Sequence, residues 1–162
     1  TKRTLLLLRH AKSSWDDPNQ ADFDRPLNQR GIRSAPMVAQ WLRENCYHPE
    51  RILCSTAKRT RETLGLLQNT WGESLQPACS LLDKLYLASP NAILQCVQEH
   101  ASPDEVCVMV IAHNPGLEEL ASMLTGKVIV MPTACCVAIS FRQADWHIYP
   151  PTASFHLLDY LK

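Results

Sequence analysis

The sequence has no excess of charge of either sign: Lys and Arg total 16, Asp and Glu total 16, and the net charge is zero with neutral histidines. Proteins that hold polyanions do so with clustered cations and released counterions, so no nucleic-acid partner is expected. Long hydrophobic runs are also missing. The stretch Leu5 to Leu8 is far too short for a membrane span or a signal-peptide core, which points to a cytoplasmic protein without a membrane partner. The seven cysteines include no C-x-x-C pair and are odd in number. Adjacent Cys135 and Cys136 on a strand would point to opposite faces and could not easily bridge, so the thiols read as reduced core residues. No repeat, low-complexity tract or linker interrupts the 162 residues, and one domain spanning 1–162 is expected. A domain of this size buries roughly 70% of the surface its unfolded chain exposes, so one core suffices.

What is present is an alternation of apolar runs and helical patterns. Thr4 to Leu8 is continuously apolar, as in a parallel strand buried on both faces, and Arg9 and His10 follow at its end. Ser13 to Arg25, rich in Asp, Asn, Pro and Gln, reads as a long loop, and such loops in compact domains are usually functional. Ile32, Ala35, Val38, Ala39 and Leu42 recur at helical spacing after Asn28, a cap candidate. Pro36 inside that pattern predicts a bend or a later start. Arg51 to Cys54 reads as a strand leading into a helix with Thr63, Leu64, Leu67 and Trp71 on one face, and Cys79 to Leu82 as a third strand. Ser89 and Pro90 open a helix to about His100. Val106 to Ala112 is the strongest strand and ends in His113, with Asn114 and Pro115 opening a helix to about Leu124. Cys135 to Phe141 and Ser154 to Leu161 read as closing strands, one of them antiparallel to the rest. The fold class predicted is α/β, a three-layer sandwich on a mostly parallel central sheet.

In such sheets ligands bind beyond the carboxyl ends of the strands. Three predicted strands end in Arg9 with His10, in Ser55 leading to Arg59, and in His113. Two guanidinium groups and two imidazoles at one rim would suit a compact phosphate dianion, because Arg offers a planar fork of donors and stays charged. Ser55 has no G-x-S-x-G elbow and no Asp-His pair to activate it, so it reads as a residue that orients the turn before Arg59. Arg25 in R-P-L, Asn114 at a helix start and Lys12 just past the first strand are further candidates for substrate contact. Trp15, in the long loop, is the tryptophan placed to face a substrate.

The motifs L-R-H-A at 8–11, R-P-L at 25–27, S-x-x-x-R-T-x-x-T at 55–63 and A-H-N-P-G at 112–116, in this order and at strand ends, resemble the histidine phosphatase superfamily. The pattern LRHAKSSW, DFDRPL, LYLA, AHNPGL is similar to its SixA-type phosphohistidine phosphatases. The resemblance implies a phosphoglycerate mutase-like fold, His10 as phosphoryl acceptor, and Arg9, Arg59 and His113 as ligands of the transferring group. It implies neither a metal nor another cofactor. It also implies a phosphohistidine-bearing phosphotransfer protein as substrate, in signal transduction, with phosphate or another oxyanion in the pocket. The arginines should lower the pKa of His10 and keep it neutral, while His113 is most useful as a donor when protonated.

Larger members of the superfamily carry a Glu after the third strand as general acid. Here the matching place reads L-L-D-K-L-Y, which makes Asp83 the acid candidate. A phosphoester leaves as an alkoxide that needs a proton, whereas phosphohistidine leaves as neutral imidazole once its ring carries a second proton. Lack of the Glu therefore favours a P–N substrate. A small-molecule phosphomonoesterase or mutase-like enzyme using Asp83 is the alternative on the same fold, and a phosphate-binding module without turnover is the alternative outside enzymes.

Overall fold

The computed structural model describes residues 1–149 and 155–161. Strand β1 (Lys2–Arg9) is followed by the long loop, which contains a single 3₁₀ turn at Asp22–Asp24, and then by α1 (Gln29–Glu44). Next come β2 (Arg51–Ser55), α2 (Lys58–Trp71), β3 (Ala78–Leu82), a 3₁₀ turn at Asp83–Leu85, and α3 (Pro90–His100). The chain continues with β4 (Cys107–Ala112), α4 (Gly116–Thr125), β5 (Cys136–Arg142) and β6 (His156–Leu161). The predicted start of the last strand at Ser154 lies outside the described residues.

One six-stranded sheet has the order β3-β2-β4-β1-β5-β6. Strands β1 to β4 are parallel, and β5 runs antiparallel to both β1 and β6. Alternate side chains of the central strands enter two cores. Leu5, Leu7, Val108 and Val110 pack with Ile93, Leu94, Leu117 and Leu120 of α3 and α4, while Leu6, Leu8, Met109 and Ile111 pack with Val38, Leu42, Leu64 and Leu67 of α1 and α2. The period of two in the strands thus puts helices on both faces, and the sandwich has three layers. Each such leucine contributes about 1.5–3 kcal/mol by leaving water.

Helix α1 starts where Asn28 Oδ1 accepts from Gly31 N–H (2.9 Å) and runs on through Pro36 without a delayed start. Its buried stripe of Gly31, Ala35, Val38, Ala39 and Leu42 outweighs the one backbone bond that proline removes. Ile32, expected on that stripe, is exposed, and Gly31 takes the inward place. The reason is close approach, since a Cβ on Gly31 would lie 2.2 Å from the Lys12 carbonyl oxygen. Ser89 caps α3 as predicted, its Oγ accepting from Ala92 N–H (3.2 Å). Helix α4 begins one residue later than the Asn-Pro pattern predicts: Pro115 is its cap residue, and Asn114 Oδ1 reaches in to accept from Glu118 N–H (3.3 Å).

Five thiols, those of Cys54, Cys96, Cys107, Cys135 and Cys136, are buried. Among the described residues no helix is long and apolar enough to cross a membrane.

Candidate active site

The parallel register pairs Arg9 with Ala112 and Cys54 with Ile111, so β2, β4 and β1 end side by side. Arg9, His10, Arg59 and His113 therefore line one cleft of about 260 Å³. Lys12, Trp15, Asp22, Arg25 and Asn114 complete its wall along with Ser13, Leu87 and Thr133.

His10 is 5% exposed, and its Nδ1 lies 2.8 Å from the Ala11 carbonyl oxygen. A carbonyl only accepts, so Nδ1 carries the proton and Nε2 keeps its lone pair. Arg59 Nε donates to that Nε2 at 3.3 Å. The Ala11 peptide is itself anchored: Thr63 Oγ1 accepts from Ala11 N–H (3.1 Å) and donates to the Arg59 carbonyl (2.7 Å). Thr63, read from the sequence as a core residue, thus also holds the backbone at Ala11, next to the carbonyl that His10 Nδ1 faces. Burial, before the nearby arginines, lowers the His10 pKa to about 4. The direction is the one expected, but desolvation is the larger cause and the charges of Arg59, Arg9 and Arg25 come after it.

His113 is 2% exposed, with its ring centroid 5.4 Å from that of His10. Its Nε2 lies 2.8 Å from Ser55 Oγ, which also accepts from Ala57 N–H (3.3 Å). Assigning the Ser55 proton to the His113 contact leaves the ring proton on Nδ1. Desolvation and then Arg59 lower the His113 pKa to about 3. Burial and Arg59 favour the neutral ring, and with that tautomer the proton on Nδ1 is available to an acceptor in the cleft. Among the described residues two buried side-chain nitrogens lack a hydrogen-bond partner, Arg9 Nε and His113 Nδ1. Buried donors are rarely left unmade, and both of these belong to the cleft that holds His10.

The long loop is closed at its base by a bridge between Ser13 and Leu27 and carries Asp22 into the cleft. Asp22 Oδ2 accepts from Arg59 Nη2 (3.0 Å) and from the Tyr86 hydroxyl, and Oδ1 accepts from Arg25 Nε (3.1 Å). Its backbone carbonyl takes Arg59 Nη1 (2.7 Å). Hydrogen bonds from Tyr86 and Arg59 overcome desolvation and lower the Asp22 pKa to about 2. Neither Asp22 nor Tyr86 was singled out from the sequence. Their signal lay in the D-F-D-R-P-L and L-Y-L-A strings, but which aspartate of the first folds over Arg59 is decided by the 3₁₀ turn.

Arg25 is buried under the exposed Trp15 ring, its guanidinium carbon 3.5 Å from the ring centroid, and also donates to Ser13 Oγ (2.8 Å). Lys12 is exposed at the rim. Asn114 Nδ2 donates to the Met131 carbonyl (2.8 Å), which also accepts from Arg9 Nη1 (3.1 Å). The Asn114 amide is thus committed on both sides, to α4 and to the 131 loop. Asp83 does not line the cleft: it is exposed, and its Oδ1 accepts from the Thr56 hydroxyl (2.6 Å). The turn after β3 sends Leu87 to the rim instead, and the carboxylate of the cleft is Asp22.

The profile of the histidine phosphatase superfamily (branch 1) matches residues 5–83. The uncharacterized chloroplastic protein At3g52155 of Arabidopsis thaliana is 38% identical over 150 residues, 89% of this chain and 69% of the relative. The crystal structure of a candidate phosphohistidine phosphatase SixA from Agrobacterium tumefaciens superposes with a TM-score of 0.82 at 28% identity, covering 99% of this chain and 97% of the other. The chain belongs to the histidine phosphatase superfamily. Its fold is the phosphoglycerate mutase-like α/β sandwich in its SixA form, and the family makes it a phosphatase. The same fold appears, at 19% identity and a TM-score of 0.80 over 98% of this chain and 96% of the other, in the protein histidine phosphatase SixA complexed with tungstate.

The two buried histidines of this phosphatase link its stability to pH. Above pH 6.5 both rings are neutral whether folded or unfolded. Below 6.5 the unfolded chain protonates them and the folded chain does not, so stability falls until the pH reaches about 4 for His10 and about 3 for His113. Each ring costs about 1.4 kcal/mol per pH unit across its window. Denaturant unfolding from pH 7 to 4 is expected to show this slope, and His10→Asn with His113→Asn to flatten it.

Proposed function

We propose that this phosphatase removes the phosphoryl group from phosphohistidine on a phosphotransfer protein of cytoplasmic signalling, as a single domain over 1–162. The observation that carries the reading is His10 with Nδ1–H held by Ala11 and the Nε2 lone pair turned into the cleft toward Arg59 Nε, beside the two unpartnered nitrogens Arg9 Nε and His113 Nδ1. An incoming phosphoryl oxygen satisfies both donors. The tungstate in the related SixA structure, a phosphate-like oxyanion, supports such a pocket here.

His10 Nε2 attacks phosphorus in line, forming a P–N bond as the substrate's P–N bond breaks. Arg59 Nε, which donates to the Nε2 lone pair before attack, is released by bond formation to donate to a phosphoryl oxygen. Preorganised donors of this kind do most of the work in phosphoryl transfer. Water then takes the phosphoryl group from His10. Arg25 and Lys12 extend the cationic wall toward the substrate, while Asn114 braces the 131 loop and Asp83 lies apart from the chemistry.

The test is turnover of a phosphohistidine-bearing phosphotransfer domain against an aryl phosphate. Preference for the phosphohistidine is the expected result. Preference for the ester, on which a small-molecule phosphomonoesterase depends, overturns the reading.

A further inference from the structure

Asp22 brings a negative charge into a cleft built for an anion. Its side chain is 42% exposed, while Arg59 and Arg25 beneath it are 3% and 8% exposed. The arginines hold the carboxylate at the cleft surface, where a substrate enters. The Tyr86 hydroxyl, and after it these arginines, keep it ionised, so it accepts hydrogen bonds and has no proton to give. A carboxylate offers about four acceptor positions. Among the described residues Oδ2 serves Arg59 and Tyr86, and Oδ1 serves Arg25, which leaves one position on Oδ1.

The donors assigned to the phosphoryl group, Arg9 Nε and His113 Nδ1, are not the donors that Asp22 occupies. A phosphoryl group can therefore enter without displacing the carboxylate. Asp22 Oδ2 and His10 Nε2 sit on neighbouring donors of one guanidinium, Arg59 Nη2 and Nε. The carboxylate thus shares one guanidinium with the attacking nitrogen while lying at the exposed mouth of the cleft, through which a leaving group departs.

We propose that Asp22 selects the leaving group by accepting the N–H of a phosphorylated imidazole through the free position on Oδ1. This rests on the phosphohistidine reading above. A substrate ring phosphorylated on one nitrogen and protonated on the other carries a positive charge. The P–N bond breaks, its electron pair stays on the leaving nitrogen, and the ring departs neutral with its N–H intact. His10 meanwhile becomes the charged, phosphorylated ring, its own N–H on the Ala11 carbonyl. Charge passes between two imidazoles, each with an acceptor behind its N–H. An ester has no such N–H, its leaving oxygen needs a proton, and an ionised Asp22 both withholds one and opposes the developing negative charge.

The experiment measures kcat/KM for phosphoimidazole and for an aryl phosphate in the wild-type protein, Asp22→Asn and Asp22→Ala, with thermal transitions to verify folding. Loss of one charge-assisted hydrogen bond predicts a fall of about 10- to 100-fold on phosphoimidazole. Aryl phosphate turnover, which offers Asp22 no N–H, is expected to fall less than phosphoimidazole turnover or to rise, and the thermal transitions report folding independently. An equal fall on both substrates in both variants, or a larger fall on the ester, overturns the assignment and reduces Asp22 to a brace for Arg59 and Arg25. A wild-type protein without preference for phosphoimidazole sinks the phosphohistidine reading itself. An intact preference in Asp22→Asn sinks the Asp22 assignment alone.

Discussion

His10→Ala is expected to lower turnover by roughly 10⁴- to 10⁶-fold, the scale on which loss of a covalent nucleophile acts. The imidazole has the features of one: its proton is on Nδ1, its Nε2 faces Arg59, and burial keeps it neutral down to about pH 4. In the proposed mechanism the donors of Arg9, Arg59 and His113 would still bind a phosphoryl group without it, but nothing would accept it. The direct measurement is a single turnover with phosphorus-labelled phosphoimidazole, quenched in alkali because phosphohistidine is acid-labile. Label should stay on the wild-type chain and be absent from the variant. A labelled His10→Ala chain would assign the acceptor to another residue. The neutral nucleophile also predicts that kcat/KM on an aryl phosphate, once the substrate's own ionisation at about pH 6 is divided out, stays level from pH 7 to 5 and falls toward pH 4.

Arg59→Ala is expected to cost about 100- to 1000-fold in kcat, the usual effect of removing a preorganised donor from a site of developing charge. Arg59 is 3% exposed and commits each of its three nitrogens to a different acceptor, with Nε on His10, Nη1 on the Asp22 carbonyl and Nη2 on the Asp22 carboxylate. Its loss therefore removes the proposed phosphoryl ligand and unties the long loop. Arg59→Lys keeps the charge but not the planar set of donors, and should recover only part of the rate. Amide hydrogen exchange over residues 13–25 should quicken in both variants. Near-wild-type turnover of Arg59→Ala would exclude a role for this guanidinium in the transition state.

Much of the architecture was legible in the chain because the central strands are short apolar runs and the helices carry their own start signals. Asn28 and Ser89 cap as their side chains predict, and the stripe Thr63, Leu64, Leu67, Trp71 is buried as its spacing requires. Helical spacing puts Ile32 rather than Gly31 inward, whereas the inward face of α1 is set by contact with the Lys12 backbone, and periodicity carries no information about a neighbour. Asp83 stood out because it follows the third strand. Asp22 did not stand out, because a loop aspartate among several has no pattern until the loop is folded over Arg59.

The sequence by itself determined which chemical groups stand at strand ends: Arg9 and His10 after β1, Ser55 and Arg59 after β2, His113 after β4. Apolar runs and caps are local, so the chain states them directly. Only the tertiary structure decided that β4 enters between β2 and β1, which brings those three ends to one cleft. It also decided the proton position on His10, through the Ala11 carbonyl, and which carboxylate meets the arginines. Strand order, tautomer and loop closure all depend on hydrogen bonds between residues far apart in the chain, and local preference does not encode them.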